Sequence, residues 1–279
     1  MSQTVIITGA SRGIGRECAK QFKAAGYNVA AIYRQNDTAA ESLRAEIGCE
    51  IFRCDCSVYS DVERTFKEIE RIFGGADILI NNAGIAEQAL FSDITEAMWD
   101  NMFNVNVKSV YSCTHAALPH MIHNKYGRII NISSMWGQVG ASCEVHYSAA
   151  KAAIIGFTKA LAKEVGLSGI TVNCIAPGVI DTDMNAAIDS ETMDILKDET
   201  PMNRIGTPSD IANAALFLAD RLGFTGHGSL VDHCFAVCHY AVKRNDIADV
   251  DDDMVSRNYG CGIHKDFLIL GLYPHFADI

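Results

Sequence analysis

Thr4-Val5-Ile6-Ile7-Thr8-Gly9-Ala10-Ser11-Arg12-Gly13-Ile14-Gly15 decides the fold. Thr4 to Thr8 is a β-branched run that predicts a strand, and glycines at 9, 13 and 15 predict a tight turn. The helical spacing that follows, from Arg12 to about Ala25, predicts a helix. Glycine in such a turn lets a pyrophosphate approach backbone N–H groups at the helix N-terminus.

The same strand-then-helix unit recurs outward from this stretch. Further strands are expected at Asn28 to Tyr33, Glu50 to Cys54, Asp77 to Ile80, Arg128 to Ile132 and Ile170 to Ile175. Helices are expected at Asp37 to Ile47, Val58 to Phe73, Thr95 to His123, His146 to Val165 and Ser209 to Ala219, with Gly26, Gly48, Gly74 and Gly166 as stops. Alternating strands and helices require parallel strands with crossover helices on both faces. The result is a doubly wound α/β architecture, whose ligands bind beyond the carboxyl ends of the strands. Gly178 to Pro208 reads as a lid or short helices.

Of 279 residues, 49% are hydrophobic and 20% charged, enough apolar material for a sizeable core. A net charge of −11 argues against nucleic acid and anionic lipid as partners. Neither an apolar run long enough to span a bilayer nor a basic leader is seen, so a cytoplasmic location is expected. The ten cysteines are scattered through expected core elements and read as reduced thiols. Cys54 and Cys56 share one face of a strand, but no second pair accompanies them and no metal is expected.

The second strand ends at Tyr33-Arg34, where a site for an unphosphorylated ribose would carry a carboxylate. Arg34, with Arg12 in the turn, can instead neutralise a 2′-phosphate, which favours NADP(H) over NAD(H); otherwise Arg34 is a solvated surface residue. Asp55, ending the third strand, can accept from an adenine amino group. Asn82, Ala83 and Gly84 end the fourth with small residues that let backbone pass close to a ribose.

Tyr147 and Lys151 lie four apart at a helix start and share one face. Reducing a ketone needs a proton donor at oxygen, and a lysine ammonium beside a phenol is expected to lower its pKa. Ser134, with Ser133 as its competitor, could hold the substrate oxygen. Asn106 is polar within an apolar helix and suits a water-ordering role, or else bonds locally.

Together Thr8 to Gly15, Asn81-Asn82-Ala83-Gly84, and Ser134 thirteen residues before Tyr147-Ser148-Ala149-Ala150-Lys151 resemble the short-chain dehydrogenase/reductase family from about residue 4 to 220. The resemblance implies a Rossmann fold with a mostly parallel, seven-stranded sheet and a Ser134, Tyr147, Lys151, Asn106 tetrad. It also implies a nicotinamide cofactor and a homo-oligomer, dimer or tetramer. Tyr147 and Lys151 would also touch the cofactor, beside Gly9, Ser11, Arg12, Gly13, Ile14, Gly15, Arg34, Asp55, Asn82, Ala83 and Gly84. Pro177, Gly178, Ile180 and Thr182 resemble the segment that holds the nicotinamide carboxamide.

Within the family, Tyr126 to Ser134 and Gly169 to Asn173 resemble bacterial 3-oxoacyl-acyl-carrier-protein reductases, which implies acyl carrier protein as partner. Ser134 to His146 resembles a branch that reduces a 5-aminopentanone group on elongation factor P, where Glu144 would face a substrate ammonium unless it merely caps the helix. A non-catalytic nucleotide-binding regulator is the alternative of another class. One domain is expected over residues 1–235, where Leu230-Val231-Asp232 is similar to the family's closing strand before His233 and Cys234 replace its glycines. Residues 236–279 form an atypical tail. Cys234, Cys238, His239, Cys261 and His264 match no zinc spacing.

Overall fold

The computed structural model describes residues 2–185, 188–200 and 202–219, and the strand Ala236–Cys238. Six strands form a parallel sheet: β1 (Thr4–Thr8), β2 (Asn28–Tyr33), β3 (Glu50–Arg53), β4 (Ile78–Asn81), β5 (Gly127–Ile132) and β6 (Ile170–Ala176). A three-residue β7 (Ala236–Cys238) pairs with β6, giving the order β3-β2-β1-β4-β5-β6-β7. The sheet therefore continues past the expected boundary at 235. The expected closing strand at Leu230 to Asp232, and the tail and its Cys/His set apart from Cys238, lie outside the described residues.

β1 is buried along its whole length because helices cover both faces of the sheet. On one side α1 (Gly13–Ala24), α2 (Asp37–Ile47) and α9 (Pro208–Ala219) pack through Phe22, Leu43 and Ala215 against Val5, Ile7, Val29 and Ala31. On the other, α3 (Tyr59–Phe73), α5 (Ser109–Asn124) and α7 (Val145–Val165) bring Ile69, Met121 and Val165 onto Ile6, Leu79 and Ile129. Inward-facing residues alternate along each strand, so successive residues feed opposite cores.

The expected helix from Thr95 to His123 is interrupted. α4 (Glu96–Phe103) runs into a π-helical turn at Asn104–Lys108 before α5 begins. The cause is Asn106, whose carboxamide leaves the helix to bond elsewhere. α7 ends at Gly166 as expected, but without a left-handed cap: Gly166 opens a 3-10 turn, and Gly169 takes positive φ. A one-turn α6 (Trp136–Val139) follows β5. Within Gly178 to Pro208 stands α8 (Ser190–Glu199), which buries none of its residues.

The strand order reverses direction between β1 and β4, and the loops at their carboxyl ends part there. All the candidate motifs open onto that crevice or its edges.

Candidate functional site

The glycine-rich turn and the loop after β4 are built against each other. Thr8 Oγ1 accepts from Asn82 N and Ala83 N at 3.0 Å each, while Asn82 Nδ2 donates to the carbonyls of Thr8 at 2.9 Å and Gly9 at 3.2 Å. A β-carbon on Gly15 would lie 2.6 Å from Asn82 Nδ2, and one on Gly9 would lie 3.0 Å from Ala83 Cα. Only glycine permits this approach, and it leaves a cradle of main chain at the start of α1 with room for a pyrophosphate. Gly13 meets the lid side: its β-carbon would stand 3.5 Å from Thr182 Cγ2.

Pro177 is tied to the end of β5 through Met135 N, which donates to its carbonyl at 2.9 Å. Ile180 is buried and bridges Gly206, so the two ends of the 178–206 segment are joined. Of the remaining expected cofactor residues, Ser11 and Ile14 are half-buried and Arg12 exposed at the turn, where no side-chain bond from Arg12 caps α1.

Arg34 and Asp55 meet at the carboxyl edge of β2 and β3, 3.8 Å apart. They line a cleft of about 370 Å3 with Gln35, Arg53, Cys54, Asp61 and Arg64. Arg12 lies outside this lining, in the turn that opens α1. Asp55 is itself steadied in an Asx turn, accepting from Ser57 N at 3.0 Å and Ser57 Oγ at 2.6 Å.

At the centre, Tyr147, Lys151, Ser134 and Asn106 are all buried. Lys151 Nζ lies 5.6 Å from the centroid of the Tyr147 ring and donates to the Ile132 carbonyl at 3.0 Å. Ser134 hydrogen-bonds to the Tyr147 phenol and also accepts from Trp136 N at 3.2 Å. Ser133 is spent on structure, its hydroxyl donating to the Lys151 carbonyl at 2.7 Å. Of these adjacent serines, both of which follow the end of β5, Ser134 is the one whose hydroxyl meets the Tyr147 phenol.

Asn106 clamps the loop after β4: Ile85 N donates to its Oδ1 and its Nδ2 donates to the Ile85 carbonyl, both at 3.0 Å. Gly84 makes room for this, since a β-carbon there would sit 2.5 Å from Asn106 Oδ1 and 3.5 Å from Lys151 Nζ. Thr8 and Ile85 went unmarked in the sequence as parts of the site. Only Thr8 left a trace there, as the residue preceding the first glycine.

Burial governs the electrostatics. It pushes the Tyr147 phenol up to about 12, with the Glu144 charge adding to the rise and the Ser134 hydrogen bond opposing it. Lys151 is pushed down to about 8, again by burial. The expected lowering of the phenol by lysine is therefore reversed, because the apolar wall of Met102, Ala150 and half-buried Trp136 desolvates the phenol. A protonated phenol beside a cationic lysine can hand a proton to an oxyanion, a stronger base than phenolate, with a serine hydroxyl to hold that oxygen.

Glu144 stands at the N-cap position of α7 but makes no side-chain capping bond; its Oε1 accepts from Gln88 Nε2 at 3.2 Å. Cys18, Cys49, Cys54, Cys56, Cys113, Cys143 and Cys174 form no disulfide, and all but Cys143 are buried.

A family model described as enoyl-(acyl carrier protein) reductase matches residues 9–235. The chain belongs to the short-chain dehydrogenase/reductase family. Similar members include an acetoacetyl-CoA reductase of Shinella zoogloeoides, 42% identical over 226 residues, covering 80% of this chain and 94% of that protein. The acetoacetyl-CoA reductase of Rhizobium meliloti (strain 1021) is 41% identical over the same length, with the same coverage. A 3-oxoacyl-(acyl-carrier-protein) reductase of Staphylococcus aureus (strain N315) is 40% identical over 224 residues, covering 78% and 91%. The relatives named here are reductases by name, and this family member carries a parallel sheet with helices on both faces.

Proposed function

We propose that this family member is an NADPH-dependent carbonyl reductase that converts the 3-oxo group of a thioester-linked acyl chain to a secondary alcohol. The observation that carries the reading is the convergence of Ser134, Tyr147 and Lys151 in one buried pocket at the carboxyl end of the sheet, with Asn106 beneath them. The names of the relatives favour a 3-oxo thioester, on coenzyme A in one group and on acyl carrier protein in the other.

The cradle formed by Gly9 to Gly15 with Asn82 and Ala83 fits a dinucleotide pyrophosphate, and Arg34 and Asp55 fit its adenosine end. Pro177, Gly178, Ile180 and Thr182 would hold the nicotinamide side. When bound, the nicotinamide supplies hydride to the carbonyl carbon. Ser134 holds the carbonyl oxygen and Tyr147 delivers its proton to it. Lys151 stabilises the phenolate that remains, and Asn106 holds the Gly84-Ile85 backbone against Lys151 so that this proton donor stays in place.

Glu144 favours a second reading. Since its carboxylate is not used to cap α7, it is available at the rim to meet a substrate ammonium, as on a 5-aminopentanone-modified elongation factor P. No helix among the described residues is long and apolar enough to cross a membrane, and we place the enzyme in the cytoplasm. Tyr111 and Ile122, three turns apart on one exposed face of α5, support a homo-oligomer, dimer or tetramer.

The test is loss of reduced-nicotinamide absorbance with purified protein, offering acetoacetyl thioesters and, separately, aminopentanone-modified elongation factor P. Turnover of the thioester is the expected result, and preference for the modified factor selects the second reading. NADPH binding without turnover of any carbonyl overturns both and leaves a nucleotide-binding regulator.

A further inference from the structure

The cleft at the edge of β2 and β3 holds three arginines and two aspartates, a local cationic excess on a chain of net charge −11. Its arginines are not equivalent. Arg64 is tightly paired with Asp61 at 3.0 Å, one turn away on α3. Arg34 and Arg53 are held loosely, by Asp55 at 3.8 Å and Asp37 at 3.5 Å.

Arg53 ends β3, whose register sets it opposite Tyr33, and its Nε donates to the Arg34 carbonyl at 3.3 Å. This bond fixes the root of one guanidinium beside the other residue while leaving its terminal nitrogens to Asp37. Asp37 also accepts from the Tyr33 phenol, so Arg53 can turn away without orphaning that carboxylate. A dianion entering the cleft would therefore meet two guanidiniums whose present ion pairs are long and solvent-exposed, hence cheap to exchange.

We propose that Arg53 is a second ligand, with Arg34, for a phosphate monoester in this cleft. The proposal rests on the NADPH reading above, in which that monoester is the 2′-phosphate of the adenosine ribose. Arg53 would then determine cofactor specificity while remaining far from the chemistry. Two planar forks can each present paired N–H donors to phosphate oxygens, which a single arginine in the cleft cannot do as well.

The test is calorimetric affinity, independent of turnover, for adenosine 2′,5′-bisphosphate against 5′-AMP, and for NADPH against NADH. The wild-type chain should bind the 2′-phosphorylated partner of each pair more tightly. Arg53→Ala should weaken those partners about tenfold and leave 5′-AMP and NADH within about twofold. Arg44→Ala, which removes the same charge elsewhere on α2, should change neither pair, and Arg64→Ala should change them less than Arg53→Ala does.

Arg53 is solvent-exposed, so the unphosphorylated ligands also report that the variant is folded. A wild-type chain that does not distinguish the pairs overturns the NADPH reading and this proposal with it. A wild-type chain that discriminates, with Arg53→Ala discriminating equally, overturns the role of Arg53 alone. Equal losses in Arg44→Ala and Arg53→Ala also overturn it, by showing that net charge and not the ligand is responsible.

Discussion

Replacing Gly84 with alanine tests whether Asn106 is a rigid clamp. The new β-carbon would sit 2.5 Å from Asn106 Oδ1, roughly 0.9 Å inside ordinary contact. Asn106 is fully buried and held by two 3.0 Å hydrogen bonds to Ile85, so it cannot yield without breaking them. Each such bond is worth about 1 kcal/mol net, and overpacking adds about 1–3 kcal/mol, so a loss of about 3–5 kcal/mol is expected. If the loop yields instead, it shifts against Lys151, whose Nζ is already in contact with the same β-carbon at 3.5 Å. A shift near 1 Å at a site of this kind costs about a hundredfold in rate. Urea unfolding and steady-state turnover of Gly84→Ala are the assays, repeated in an Asn106→Ala background that removes the obstruction. There, adding Gly84→Ala should cost under about 1 kcal/mol, a clear departure from additivity. Equal penalties with and without the Asn106 carboxamide would refute the clamp, as would a Gly84→Ala enzyme of unchanged stability and turnover.

Four further outcomes are expected. Tyr147→Phe should lower reduction by about 10²–10⁴-fold with NADPH affinity kept within about twofold, measured by turnover and fluorescence titration. Reduction should fall as pH rises through about 8, where Lys151 loses its proton, while Tyr147 stays protonated up to about 12; in Lys151→Arg the falling limb of the pH–rate profile should move to higher pH. The same lysine makes stability rise between pH 8 and 10.5, because the unfolded chain binds the proton there and the folded chain does not; the gain is about 3 kcal/mol and should vanish in Lys151→Met by chemical denaturation at pH 7.5 and 10. Gly15→Ala should weaken dinucleotide binding about tenfold or more, because its β-carbon would intrude on Asn82 Nδ2 and the Gly9 carbonyl; unchanged affinity would remove the turn from the cofactor site.

Periodicity sufficed for the strands because a sheet covered on both faces demands continuous apolar runs, and Thr4–Thr8 and Asn28–Tyr33 carry them to the residue. It failed at Asn104–Lys108, where the apolar spacing continues but a side-chain bond to Ile85 widens the turn. No local pattern encodes that bond, since its partner lies twenty-one residues away. Glycine positions marked the cofactor turn well because the conformation and the close approach are imposed by the glycine itself. The electrostatics were the least legible part. Four residue names suggested that lysine would acidify tyrosine, whereas burial raises the phenol and lowers the ammonium. Burial is a property of the packed whole.

The candidate site is held chiefly by main-chain groups, and this bears on how the family can vary its substrates. Lys151 is fixed by the Ile132 carbonyl, its helix by Ser133, Asn106 by Ile85, and the loop after β4 by Thr8. Below them Asn81 donates to Asn131 at 2.8 Å and Asn131 to Thr158 at 2.9 Å, joining β4, β5 and α7 in a buried polar chain. Each link ties the carboxyl end of one strand to a neighbour, so the proton-handling groups keep their places whatever is attached around the crevice. The groups at the rim are anchored differently: Glu144 bonds only to an exposed Gln88 side chain, and α8 buries nothing. Substitutions there can reshape recognition without disturbing the chemistry, so the two substrates proposed above differ in what they ask of the rim and not of the buried centre. Discrimination between them must come from the rim, and Glu144 is the charged group there that senses the reacting phenol.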